Sequence, residues 1–174
     1  MAGLAHPDAD NRRRRVLPAL HLAASPAARN LLPVLRGIGD RCGVAIPAGE
    51  DFVHYDFTPA NLLSDGTAIS GVIDINPPVL AGDRAFDLAT MLFYLYDHED
   101  IRHLLRARLL DLAGPLAARA YLAHMVLRQV DWSLRHHPAA AATRHHLCLA
   151  RIITADIDPS PARPAAVRHW RAIR

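Results

Sequence analysis

Apolar residues recur at three- and four-residue steps from Val16 to Arg41, a period that predicts helix. Pro18, Pro26 and Pro33 must fall at turns or in first helical turns, so this stretch is expected to divide into two short helices. Gly37 and Gly39 weaken its end, and GIGDRCG reads as a helix C-terminus followed by a turn. From Asp51 to His54 the chain enters a polar loop, HYDFTPAN. Leu62 and Leu63 then predict a short strand, Ser64 to Thr67 a turn, and Ala68 to Ile75 a return strand, because Asp65-Gly66 between apolar segments signals a hairpin. Alternation puts Ser70, Val72 and Asp74 on one face of the return strand and Ile69, Gly71, Ile73 and Ile75 on the other. Beyond Pro77-Pro78 the pattern is helical again. Asp83 suits an N-cap for a helix over 84–96 that is apolar nearly all round, and such a helix belongs at the centre of a core. Further helices are predicted over 100–113, 116–135 and 140–155, the middle one with Leu122, Ala123, Val126, Leu127, Val130 and Leu134 on one stripe. Pro159, Pro161 and Pro164 break the chain before a basic tail.

The expected class is therefore α+β, predominantly α-helical, with one small β-hairpin. The expected organisation is a loose basic leader (1–15), a folded body (16–158, with a catalytic core at 50–95 and a helical packing region at 96–158) and a tail (159–174). Composition agrees: the chain has 174 residues, 51% of them apolar and 21% charged, too apolar for wholesale disorder. No uncharged apolar run approaches the ~18 residues that cross a bilayer.

The net charge is +3, and all 20 basic side chains are arginine. No step that needs a lysine amine can be completed by this chain. Arg12 to Arg15 form the one dense basic cluster, and no aromatic residues interleave with it, which argues against a nucleic-acid stacking surface. The same cluster followed by VLPALHLAASPAA imitates an export signal, but Pro18, His21 and Pro26 interrupt it and Asp8 and Asp10 precede it. Cys42 and Cys148 match no CxxC pattern and read as reduced thiols of a cytoplasmic protein. The pairs His136-His137 and His145-His146 lack helical i,i+4 spacing within each pair and have no nearby cysteine, so they read as solvated helix ends and loop rather than a metal site. GIGDRCG has the wrong spacing, and no preceding strand, for a nucleotide-binding glycine loop. Serine hydrolysis has no GxSxG elbow.

The informative block is HYDFTPANLL, then ISGVIDIN, then GDRAFDLA. His54, Asp56 and Asn61 share a short loop entering the hairpin, and Asp74 lies near the end of its return strand. Because a hairpin brings its ends together, Asp56, Asn61 and Asp74 are expected to converge. Two carboxylates and an amide oxygen make a hard oxygen site suited to Mg²⁺, and a carboxylate left off the metal can orient a hydroxyl or take its proton. Asp87 is the anomaly of the central helix, since a buried carboxylate needs partners.

This arrangement, H-x-D-x-x-x-x-N, a hairpin ending in Asp, then G-D-x-x-x-D-L-A, resembles the catalytic centre of the aminoglycoside phosphotransferase and choline kinase family, a branch of the protein-kinase-like fold. The resemblance implies that Asp56 is the catalytic base or hydroxyl-orienting residue. It implies that Asn61 and Asp74 hold Mg²⁺ on the phosphates of ATP, that His54 braces the loop and that Asp87 anchors the loop backbone. It further implies transfer of the γ-phosphoryl group to a hydroxyl of a small molecule. Tyr55 stands where the family usually has Gly, Thr58 where it commonly has His, and Ala60 where it commonly has Gly. Ile75 and Asn76 follow the metal-binding Asp where the protein-kinase motif has an aromatic residue and Gly.

Kinase-like enzymes close over ATP with a small β-rich lobe that carries a glycine loop and a Lys. Nothing before residue 54 reads as such a lobe, so the chain is expected to correspond to the large C-terminal lobe, active only with a small lobe from another chain, or else to be an inactive remnant serving as a binding module. A homodimer through apolar surface left bare is compatible with either. Asp97, Glu99, Asp100 and Asp131 could receive a polycationic acceptor or could form a solvated face; the sequence favours the second.

Overall fold

The computed structural model describes residues 22–42, 49–75 and 80–158. The leader (1–15), the tail (159–174), Pro18, and the end of the GIGDRCG turn lie outside them, as do Asn76, Pro77 and Pro78. A helical stretch at 22–24 and turns lead into helix α1, Leu31–Cys42. Pro33 sits in its first turn, where an amide hydrogen would have no helical partner. The helix runs through Gly37 and Gly39 rather than ending among them. Leu31, Leu32, Leu35, Ile38 and Cys42 are buried along one stripe, and that packing outweighs the roughly 1 kcal/mol that each glycine costs a helix.

Strand β1, Asp51–Val53, pairs antiparallel with β4, Leu80–Gly82, aligning Asp51 with Gly82 and Val53 with Leu80. This two-stranded sheet replaces the irregular lead-in expected from the sequence. A second sheet is the hairpin, β2 Leu62–Ser64 with β3 Ile69–Val72, with an irregular register between Leu63 and Ser64. The return strand is shorter than expected. It ends at Val72, and Asp74 adopts a left-handed backbone with φ 60°.

Helix α2, Ala85–Tyr94, starts where the Asp83 carboxylate accepts from the Ala85 N–H at 2.9 Å. Ala85, Ala89, Leu92 and Phe93 are fully buried, as is Tyr96 just beyond the helix. Helix α3, Glu99–His136, is one run broken at Gly114, whose φ of 73° no β-carbon tolerates cheaply. Pro115 restarts the helix, since proline suits a first helical position. The two helices expected over 100–113 and 116–135 are the halves of this run. Helix α4, Ala141–Ile157, contributes Leu147, Leu149, Ala150, Ile153 and Ile157 to a core shared with α1, α2 and both halves of α3. The Tyr121 hydroxyl donates to Asp83 at 2.6 Å and ties α3 to the start of α2. His146 is buried rather than solvated, its Nδ1 2.7 Å from the Ser133 hydroxyl. Among the described residues no group of three or more His, Cys, Asp or Glu is placed to hold a metal, and no helix is long and apolar enough to cross a membrane. The described chain is thus α+β and predominantly helical.

Two glycines with opposite surroundings give opposite expectations. A β-carbon on Gly49 would lie 2.2 Å from the Gly82 carbonyl oxygen, whereas one on Gly39 meets nothing within 4 Å. Gly49→Ala should cost about 1–3 kcal/mol by forcing β1 and β4 apart. Gly39→Ala, in an exposed helical position, should add about 0.5–1 kcal/mol. Urea midpoints of the two variants check both signs.

The hairpin turn gives a second. Asp65 accepts at 2.7 Å from the Thr67 hydroxyl, and at 2.8 and 2.9 Å from the Thr67 and Ala68 N–H groups. These bonds, the hydroxyl first, hold its carboxyl at about 2. Because that lies below the unfolded value of about 3.9, the stabilisation is present above the unfolded value and is lost as pH falls through about 2. NMR titration should show Asp65 protonating well below the ordinary aspartate range, and Thr67→Ala should return it toward that range.

Candidate active site

The loop between β1 and the short 3₁₀ turn Pro59–Asn61 is fastened from below by α2. Asp87 accepts from the His54 N–H at 2.7 Å and from the Tyr55 N–H at 2.9 Å, one bond to each carboxylate oxygen. Burial pushes its carboxyl above the ordinary aspartate range. The two N–H groups come first, and nearby positive charge such as that of Arg128 follows, in pulling it back toward ionisation. Tyr55 has a left-handed backbone, φ 64°, which costs a non-glycine residue roughly 1 kcal/mol or more. Its ring lies 5.0 Å from that of Phe86, and its hydroxyl fills the space that a β-carbon on Gly82 would need, 2.7 Å away.

His54 is buried and links three parts of the loop. Its Nε2–H donates to the Ile73 carbonyl at 2.9 Å, and its Nδ1 accepts from the Asp56 N–H at 3.3 Å, so one tautomer satisfies both bonds. Asn61, also buried, donates from its amide nitrogen to the Asp56 carbonyl at 2.8 Å and lies 3.4 Å from Asp56 Oδ2. The Ile73 N–H donates to the Asn61 carbonyl at 3.0 Å. Asp56 and Asn61 therefore stand side by side. Asp74 follows a residue bonded to both His54 and Asn61, and is exposed two residues past the end of β3.

Asp56 opens onto a cavity of about 690 Å³ that Asn61, Tyr94, Arg128, Gln129 and Trp132 also line. Arg128 Nη2 is 4.0 Å from Asp56 Oδ1, and the guanidinium lies over the Phe86 ring, 5.4 Å from its centroid. The Tyr94 hydroxyl donates to Gln129 Oε1 at 3.0 Å. Burial, and then the Asp56 charge, raises the Tyr94 hydroxyl's pKa, with Arg128 opposing. These wall residues were not singled out in the sequence. One signal was present: Gln129 falls three residues after Val126 and seven after Leu122, on the apolar stripe of α3, where a polar residue is out of place.

Asn61 turns its nitrogen to the Asp56 carbonyl, which leaves an amide oxygen and the Asp56 and Asp74 carboxylates as the oxygen donors of the loop and the hairpin's end. The chemistry of that set suits Mg²⁺. The four acids noted as possible polycation receivers do not line the cavity. Asp131 is buried and paired with Arg135 at 2.8 Å, Asp97 and Glu99 lie beside surface His and Arg side chains, and Asp100 is exposed.

Asp87→Ala should leave two loop amides without partners and cost about 3 kcal/mol, given roughly 1.5–3 kcal/mol for each bond to a charged group. Hydrogen exchange should show the His54 and Tyr55 amides losing protection out of proportion to the helical core. Uniform loss across α2 and α3 would place the effect in packing instead.

Comparisons with known proteins bear on this geometry. The family model described as the phosphotransferase enzyme family matches residues 3–124, which include His54, Asp56, Asn61, Asp74 and Asp87 but not Arg128, Gln129 or Trp132. No curated protein and no solved structure matches significantly. With well over half of its length matched, the chain belongs to the phosphotransferase enzyme family.

Proposed function

We propose that the chain is the large, kinase-like C-terminal lobe of an ATP- and Mg²⁺-dependent phosphotransferase of the aminoglycoside phosphotransferase type, acting in the cytoplasm on a hydroxyl of a small molecule. The observation that carries this reading is the junction of Asp56, Asn61 and His54 on a loop fastened by Asp87, inside the family match. Asp56 orients the acceptor hydroxyl and takes its proton as the new bond forms. Asn61 and Asp74 supply oxygen ligands to Mg²⁺, which when bound neutralises charge on the phosphates. His54 ties the loop to the hairpin's end, and Asp87 fixes the loop backbone. Most of the catalytic power of phosphoryl transfer lies in positioning and electrostatics, so these fixed contacts are the relevant assets.

The chain is incomplete for this chemistry on its own, because it holds no Lys to pair with the phosphates. A second chain carrying the phosphate-covering lobe completes it in this reading, and a homodimer is a further arrangement the exposed apolar surface allows. The same missing amine favours the second reading, an inactive remnant that binds but does not transfer.

Mn²⁺, read by electron paramagnetic resonance, serves as the probe for the metal site. The full chain should bind it weakly, and Asp74→Ala should lower the affinity about tenfold or more, a loss of roughly 1.4 kcal/mol. Unchanged affinity would remove the metal site. Transfer from ATP by the isolated chain should be negligible; turnover abolished by Asp56→Asn would instead establish a self-sufficient enzyme.

A further inference from the structure

The cavity beside Asp56 has a second wall that the proposed phosphotransfer does not use. Of the described residues that line it, Asp56 is the one acid and Arg128 the one base. A polycation would meet a site with no net negative charge. The 4.0 Å from Arg128 Nη2 to Asp56 is too long for a hydrogen bond, so the guanidinium is not consumed by the aspartate. Arg128 Nη1 and Gln129 Nε2 are both buried and have no hydrogen-bond partner among the described residues. Gln129 as a whole is 4% exposed, and its oxygen is already taken by Tyr94.

Two buried donors without acceptors are costly, at roughly 1–3 kcal/mol each. Solvent does not reach these atoms, and no group among the described residues serves them. Turning the Gln129 amide over would exchange one unpaired atom for another, whereas a guanidinium has donors only, so the missing partner must bring an acceptor. Both residues line the cavity, so a small rotation of either side chain meets a ligand oxygen lodged there. Trp132, 45% exposed, supplies a flat apolar wall beside them.

We infer that the acceptor bound in this cavity is a small hydroxylated anion, whose carboxylate or phosphate oxygens are held by Arg128 and Gln129 while its hydroxyl faces Asp56. This rests on the phosphotransfer reading for the role of Asp56, but the anion-binding wall is measurable without ATP or Mg²⁺. Arg128, Gln129 and Trp132 lie beyond the family match, which ends at residue 124.

Calorimetric titration of the full chain with matched probes tests it: gluconate against sorbitol, glucose 6-phosphate against glucose, and kanamycin as the polycation. At least one anion should bind about tenfold more tightly than its uncharged partner, the gain expected of a charge-assisted pair. The two anionic arms separate a carboxylate preference from a phosphate one. Arg128→Gln should abolish the preference, Arg128→Lys should restore part of it, and Arg108→Gln, on an exposed part of α3, should leave it intact. Failure of both anions to bind, tighter binding of kanamycin, or an unchanged preference in a helical Arg128→Gln variant would each overturn the inference. Anion binding through Arg128 together with a metal affinity indifferent to Asp74 would sink the phosphotransfer reading and leave this one standing.

Discussion

The structure turns on one carboxylate. Asp87 belongs to the central helix, yet both of its oxygens are spent on the backbone of a loop more than thirty residues earlier in sequence. Burial alone would favour the protonated acid, and the two N–H donors are what make the charged form tenable there. In return the carboxylate fixes two successive amides, and with them the left-handed turn at Tyr55. From the direction so set, His54 reaches Ile73 and Asn61 reaches Asp56.

The position of Tyr55 shows how a departure from a family pattern is absorbed. A left-handed φ explains why glycine is the cheap choice at this point. Here a tyrosine accepts the backbone strain, and its side chain offsets part of it. The ring packs at a tilt against Phe86, and the hydroxyl takes the space left by the missing β-carbon of Gly82. Tyr55 and Gly82 are thus two sides of one packing solution.

Much of the helical body was legible in the sequence because it is written in local periodicity. The apolar run before Tyr96, the break at Gly114-Pro115 and the Asp65-Gly66 turn each carry their signal within a few residues. The β1–β4 pair was not legible. Each strand is three residues long, too short for alternation to register, and the pairing joins segments far apart in sequence. The same limit hid the cavity wall, since Arg128 and Gln129 matter only through what α2 and the loop bring opposite them. Helix α1 outran its glycines for a related reason: its buried stripe is a tertiary gain that local propensity does not contain. Asp74 lay nearer the boundary, as the hairpin was readable but its last turn was not.

The hairpin itself stands apart from the core. Leu63, Ile69, Val72, Ile73 and Ile75 are all among the exposed large apolar residues, while the buried cluster is drawn from the helices and the turns before α1. The loop is tied to the folding of the core through Asp87, whereas the hairpin beyond it is only loosely coupled to that core. Drift in the hairpin would pass unnoticed by any selection for a stable, soluble body, and would be visible only to selection on what the loop does.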